Sequence, residues 1–415
     1  KNNRLGQSGF GFSTNSLIYD LASASLKTID ISDETKYNYE AIFARLNYNW
    51  DGKYIANITA RRDGSSRFGP GKQFANFGAI GAAWIFSKEN LFKGQSILSF
   101  GKLRSSYGIT GSDQIGDYQF LNTYLSSANS YQGTVGLQPT RLFNSNFAWE
   151  TNKKFETALE MGFFDDKVFI NAAYYVNRSS NQLVGIPLPG TTGFSSLTAN
   201  LGATVQNKGF EFSIQTKNIS NKHFTWTTDL NISMNRNKLI SYPGLATSTN
   251  SNTFVVGESI NILKRYQYTG INPQTGVYTF KDMNGDGQIS SLLDRTLIFD
   301  LNPSFFGGLQ NQLSYHNIQL NFLFQFVKQK APVYAPGLPG RLINQLSSLT
   351  NVWQKPNDQA DYQKLTSNNS ALTTGYNLFN LSDQAIVDAS FIRLKNVALS
   401  YEIKPKSLKG MVCRV

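Results

Sequence analysis

The chain has 415 residues, of which 40% are hydrophobic, 13% aromatic and only 16% charged, and its formal net charge is +12. Ordinary globular domains carry ~25% charged residues; a chain this short of charge and this rich in Phe and Tyr does not suit a cytosolic enzyme, and suits a wall with lipid on one side and water on the other. A single cysteine, Cys413, excludes a disulfide framework and a cysteine metal site, and Lys and Arg that are scattered, not clustered with stacking aromatics, exclude nucleic acid as a partner.

No run approaches the ~18 apolar residues of a transmembrane helix. The most apolar windows, such as 318–327, carry a polar residue at every second or third place. A barrel strand needs only ~9–11 residues to cross a bilayer. No signal peptide opens the chain at Lys1, which implies a removed signal or an internal stretch.

In chain order, a first strand is expected near 5–16. From Tyr39 onward, alternation with period two marks strands at about 40–50, 54–62, 74–86, 97–107, 149–163, 168–179, 205–218, 223–236, 304–315, 317–328 and 390–403, with another starting at Met411. Phe155, Leu159, Met161 and Phe163 oppose Glu156 and Glu160; Phe210, Phe212 and Ile214 oppose Glu211, Ser213, Gln215 and Lys217; Trp226, Leu230 and Ile232 oppose Asp229, Asn231 and Ser233. Successive Cβ atoms point to opposite faces of a strand, so each segment has one oily and one polar face.

The connections alternate in length. Short turns fall at 51–53, 165–167, 220–222 and His316, intermediate ones at 87–95 and 404–410, and long stretches near 63–73, 109–148, 180–204, 239–302 and 329–389. In an up-and-down barrel every second connection lies on the same rim, and outer-membrane barrels have short periplasmic turns and long extracellular loops. The expected fold class is all-β, an antiparallel up-and-down transmembrane β-barrel, with about 12–13 strands present. Aromatic residues beside the short turns, among them Trp50, Tyr54, Phe163, Phe224, Trp226, Tyr315 and Tyr401, suit a girdle at the membrane interface.

Six segments in order resemble the SusC/RagA-like TonB-dependent transporters of Bacteroidetes. They are Arg61-Arg62-Asp63-Gly64-Ser65-Ser66-Arg67-Phe68-Gly69, Lys102-Leu103-Arg104-Ser105-Ser106-Tyr107-Gly108-Ile109-Thr110-Gly111, Trp149-Glu150-Thr151, Gln206-Asn207-Lys208-Gly209-Phe210-Glu211, Asp282-Met283-Asn284-Gly285-Asp286-Gly287 and Phe391-Ile392-Arg393-Leu394-Lys395-Asn396-Val397. The resemblance implies a barrel of roughly 22 strands with a plugged lumen. Residues 1–415 would then be the C-terminal-half portion of one barrel domain, cut at both ends, without the family's carboxypeptidase-like extension, TonB box or plug. It further implies location in the outer membrane of a Gram-negative bacterium and import of glycans or peptides. Energy would come from TonB, acting through a segment not in this chain, and a SusD-like surface lipoprotein would serve as a lid. A structural or adhesive barrel serving as a scaffold, and a soluble all-β carbohydrate-active enzyme, are the alternative readings.

One stretch has metal-like spacing. Asp282, Asn284 and Asp286 stand at the first, third and fifth positions of an EF-hand-type loop, Gly287 at the sixth and Gln288 at the seventh. The twelfth position, which should be Glu, is Leu293, and Asp294 follows one residue late. The expectation is either a structural calcium that braces the long loop or a polar turn without metal; no cofactor is required. Glu156, Glu160, Glu211 and Asp229 read as lumen lining partnered by Lys154, Lys208 and Lys217, not as a glycosidase pair. Residues 63–69 lack the glycine spacing of a phosphate loop and read as a rim hairpin in which Arg67 pairs with a carboxylate. His223 and His316 sit in short turns and offer no ligand cluster or catalytic triad. Tyr118, Phe120, Tyr124, Tyr131, Phe143, Phe194, Tyr334 and Trp353 are loop aromatics suited either to stacking on cargo or to packing on one another. The substrate-contacting residues are not identified.

Overall fold

Alternating strands with one oily face pair into a sheet only if their registers keep that face continuous, because a slip of one residue turns every side chain over. The computed structural model, which describes residues 1–92, 94–333, 337–347 and 349–403, shows such a sheet. Eleven strands follow one another as antiparallel neighbours in chain order. They are β1 Tyr39–Trp50, β2 Tyr54–Ser65, β3 Phe74–Trp84, β4 Leu98–Thr110, β5 Thr151–Phe163 and β6 Val168–Pro187, then β7 Ser196–Ser220, β8 Phe224–Ser241, β9 Phe305–Tyr315, β10 Ile318–Lys328 and β11 Phe391–Tyr401. Each coincides with an expected strand. The turn at 404–410, the strand from Met411, Cys413 and Tyr334 lie outside the described residues.

Cross-strand partners share a face. Leu103 pairs with Leu159, Leu159 with Ala172, Ala172 with Phe212 and Phe212 with Ile232, so the oily side runs unbroken across five strands. Among the described residues no other layer covers it: Ile42 is 80% exposed, Leu399 73%, Leu46 65%, Ile80 62% and Phe210 61%. The buried hydrophobic clusters sit elsewhere, around Phe68, Leu239 and Tyr278. Burying one such side chain is worth about 1.5–3 kcal/mol, so a soluble sandwich would cover this face. A lipid-facing wall has no need to.

Two expectations are corrected. The stretch 180–204 is mostly strand, because β6 and β7 run on past a bulge at Ser180/Gln182 and pair to Pro187↔Ser196. Its Pro, Gly and Thr content suggests a loop, but only the tip around 188–195 is one. The early strand is Asn2–Phe10, and it pairs with Leu26–Thr35 in a separate two-stranded sheet, not with the main sheet. Lys27, Asp30, Asp33 and Glu34 hid that second strand by breaking its hydrophobic pattern. The long loops are also folded: 109–148 holds the hairpin Thr123–Tyr131/Thr134–Arg141, and 329–389 holds the helix Ser370–Phe379. Asn369 caps that helix, its side chain accepting from the Leu372 N–H at 3.1 Å.

Candidate functional site

The polar face of the sheet is organised by ion pairs. Register sets Lys102 opposite Glu160 and Ser106 opposite Glu156, which leaves Arg104 diagonal to both acids. Arg104 Nε donates to Glu160 Oε1 at 2.9 Å, Lys102 Nζ reaches both Glu160 oxygens at 3.3 Å, and Arg104 also donates to Glu156. The partners of the two glutamates are therefore on β4. Among the described residues, the expected Lys154, Lys208 and Lys217 enter no ion pair with them, and Lys208 points to the opposite face with Phe210. Beside this ladder lies a concavity of about 700 Å³, bordered by Ser106, Lys154, Glu156, Tyr175, Asn207 and Glu211. Two bonds stiffen its floor: the Tyr175 hydroxyl donates to Asn235 Oδ1 at 3.2 Å, and Asn237 Nδ2 donates to Asn207 Oδ1 at 2.8 Å.

The rim that carries the long loops is locked by the 63–69 hairpin. Arg67 Nε donates to Asp117 Oδ1 at 2.8 Å, and Nη1 donates to the Asp113 carbonyl at 2.9 Å, so the expected carboxylate partner is Asp117. The Arg67 guanidinium lies 4.2 Å from the centroid of Tyr37. The hydroxyls of Tyr37 and Ser65 both donate to Asp113 Oδ2, at 2.6 and 2.8 Å. Burial, with the Asp113 carboxylate holding its proton, pushes the Tyr37 phenol up to about 12. Phe68 is wholly buried between Phe147 and Trp149.

The loops above the lumen pack on an aromatic cluster. Tyr278 and Phe379 stack with centroids 4.4 Å apart, and Tyr268 meets both rings edge-on. Trp353 is buried against Gly276, where a Cβ would stand 2.4 Å from the indole and the backbone has φ +69°. Of the expected loop aromatics, Phe120 packs on the Phe68 cluster, the Tyr118 hydroxyl accepts from the Lys36 N–H at 2.7 Å and Phe194 is half-buried. Tyr124, Tyr131 and Phe143 stay exposed.

The TonB dependent receptor-like, beta-barrel family matches residues 2–382. The chain belongs to this family. It is 32% identical over 405 residues to TonB-dependent receptor P3 of Formosa agariphila, covering 89% of this chain and 39% of that one. It is 28% identical over 418 residues to TonB-dependent receptor SusC of Bacteroides thetaiotaomicron, covering 92% and 40%. The structure of the RagAB peptide transporter superposes with a TM-score of 0.80 at 24% identity, over 97% of this chain and 45% of that one. This TonB-dependent barrel thus spans about two fifths of the length of the curated relatives it matches. The family is one of outer-membrane receptors of Gram-negative bacteria, not of enzymes.

Within the TonB-dependent barrel, the motifs that carry the resemblance have separate physical roles. Lys102 and Arg104 supply the cations of the lumen ladder, and the Trp149 indole N–H donates to the Gln73 carbonyl at 3.0 Å, tying the approach to β5 to the connection between β2 and β3. A Cβ at Gly209 would meet the Met234 carbonyl oxygen at 2.4 Å and the Tyr175 hydroxyl at 2.9 Å, so only glycine lets Tyr175 lie across the lumen wall.

The 282–294 turn closes on its own amides. Asp282 accepts from the N–H groups of Gly285 and Gly287, each at 2.7 Å; Asp286 accepts from the Gln288 N–H at 2.8 Å and the Asn284 amide at 2.7 Å. Asp294 is fully buried and accepts from the N–H groups of Met283 and Ser290, each at 2.7 Å. Among the described residues, no three His, Cys, Asp or Glu side chains are placed to hold a metal ion. The Ser290 and Met283 amides hold the Asp294 carboxyl below the usual carboxylate range. A group with a depressed folded pKa stabilises above its unfolded value, ~3.9, and loses that contribution as pH falls through the folded value. Hydrogen exchange of 282–294, taken relative to the intrinsic rate at each pH, should therefore stay slow from neutral pH down to about 4 and quicken only in stronger acid. Asp294→Asn should quicken it already at neutral pH, because its NH₂ would face an amide donor. An unchanged exchange rate in the variant would remove Asp294 as the pin of this turn.

The two histidines, unclustered in the sequence, are brought ring to ring. β8 and β9 are separated by a long connection but pair from Phe224↔Tyr315 upward, and this places His223 beside His316.

Proposed function

We propose that the chain is the wall of a TonB-driven importer that carries glycans or peptides across the outer membrane. The observation that carries this reading is the sheet itself, with one uncovered apolar face and one ion-paired polar face bordering a concavity. The polar face suits a water-filled path, and nothing in its geometry asks for a bond to be broken. The peptide cargo of the RagAB transporter and the likeness to SusC support import and, for the whole protein, a SusD-like lipoprotein lid. β1 and β11 each pair on one side only among the described residues. Unpaired edges are not tolerated in lipid, so further strands of the whole protein close the barrel in this proposal. The 282–294 turn acts as a brace for the outer loops; calcium is the ion its spacing would take, as a structural ligand only.

Deleting the gene and feeding a panel of oligosaccharides and peptides should abolish uptake of one class while sparing the other. Uptake of every compound at the parental rate would overturn import and leave the scaffold reading. For the brace, calcium added to chelator-treated protein should slow hydrogen exchange across 282–294. Exchange indifferent to calcium would leave the turn to its amides alone.

A further inference from the structure

The chain contains only two histidines, 93 positions apart in the sequence, and their rings touch. His223 and His316 extend the β8–β9 ladder one step beyond Phe224↔Tyr315, and the His316 N–H donates to the His223 carbonyl at 3.0 Å. Their centroids stand 4.7 Å apart with planes at 42°. Both residues are exposed on the short-turn rim, and no side-chain hydrogen bond or ion pair occupies either imidazole among the described residues. The backbone around them is fixed. Asn221 Oδ1 accepts from the N–H groups of His223 and Phe224 at 3.0 and 2.8 Å, and Tyr315 packs edge-on against the His316 ring at 4.5 Å.

A metal–imidazole bond is ~2.0–2.1 Å long. A ring bound through one nitrogen therefore holds its centroid about 3.2 Å from the metal, and two such rings stand about 4.5–5.2 Å apart between right-angled and tetrahedral coordination. The observed separation falls inside that interval. Because two hairpins already hold the rings at this spacing, little ordering has to accompany binding.

We propose that His223 and His316 form a two-imidazole site for a divalent transition-metal ion, with water completing the coordination shell. Imidazole selects Cu²⁺ most strongly, then Ni²⁺ and Zn²⁺. Ca²⁺ and Mg²⁺, which take oxygen ligands, are not bound. A bound ion would clamp the β7–β8 turn to the β9–β10 turn, which the His316 N–H to His223 carbonyl hydrogen bond joins at this point. The site is independent of the import reading, since it requires only the register of β8 and β9.

The test uses the full-length protein in detergent, with Cu²⁺ titrated against a competing chelator and followed by electron paramagnetic resonance. Wild type should show hyperfine structure from two imidazole nitrogens. His223→Gln and His316→Asn should each weaken Cu²⁺ binding at this site by at least the ~10–100-fold that loss of an outer-shell partner costs. Asparagine is chosen at 316 because the backbone there has φ +50°, a conformation Asn adopts more readily than most residues. Metal-free thermal unfolding of both variants should match wild type, which separates a lost ligand from a lost fold. Equal Cu²⁺ affinity and an unchanged nitrogen pattern in the double variant would overturn the proposal, as would displacement of Cu²⁺ by equimolar Ca²⁺.

Discussion

Phe68→Ala should destabilise the long-loop rim by about 3–5 kcal/mol, the range for emptying a buried aromatic site. Phe68 is 0% exposed and lies 4.9 Å from Trp149 and 5.8 Å from Phe147, centroid to centroid. Ala75, Phe77, Ile115, Phe120 and Leu183, from three further stretches of chain, pack against this cluster. Ala75 and Phe77 are held in β3 and Leu183 in β6, so the hole could not collapse fully and a cavity term would add to the lost transfer energy. Hydrogen exchange should accelerate in the 112–122 and 144–150 segments together, while the 40–50 strand stays protected. Phe143→Ala is the matched control, because Phe143 is 56% exposed. If both variants unfold at the same denaturant concentration, the Phe68 cluster is not what holds this rim.

Gly307→Ala should cost about 1–3 kcal/mol, the usual range for overpacking, although alanine is a small residue. A Cβ at 307 would stand 2.0 Å from the Asn231 carbonyl oxygen and 2.6 Å from the Phe326 ring. The ring can turn aside, but the carbonyl belongs to β8, so β9 would have to move away from its neighbour. Gly307 pairs with Ile232 on one side and Phe326 on the other, and the displacement would pass to both ladders. Gly190→Ala is the control: nothing lies within 4 Å of its Cβ position and its φ is not positive. Folding into lipid or detergent, read as the heat-modifiable shift on a gel, should fail or slow for the 307 variant and remain normal for the 190 variant. Normal folding of Gly307→Ala would show that the β8–β9 spacing is slack.

The wall was legible because its information is local. Alternation at Phe210, Phe212 and Ile214 against Glu211, Ser213 and Gln215 is a property of neighbouring residues, and each of the eleven strands of the main sheet announced itself in this way. Loop contents were less legible. The extension of β6 to Pro187 depends on its partner Ser196, and a Pro-Gly-rich tip conceals pairing that only the opposing strand supplies. Side-chain partners were the least legible. The sequence places Lys154 two residues from Glu156, yet alternation carries partners across strands, and the acids find Arg104 and Lys102 more than fifty positions away.

By itself, then, the amino-acid sequence determined the barrel's strands, their two faces and the family to which they belong, because period-two patterning and the short motifs need no distant residue to be recognised. Tertiary structure alone decided what those faces hold. Packing within the loops converted Arg67 into the lock of the long-loop rim and turned the 282–294 carboxylates toward their own amides, and register set the Arg104–Glu160 pair. It also joined His223 to His316. The cross-strand contacts depend on which residue stands opposite which across a ladder, and that is fixed only when the strands come into register.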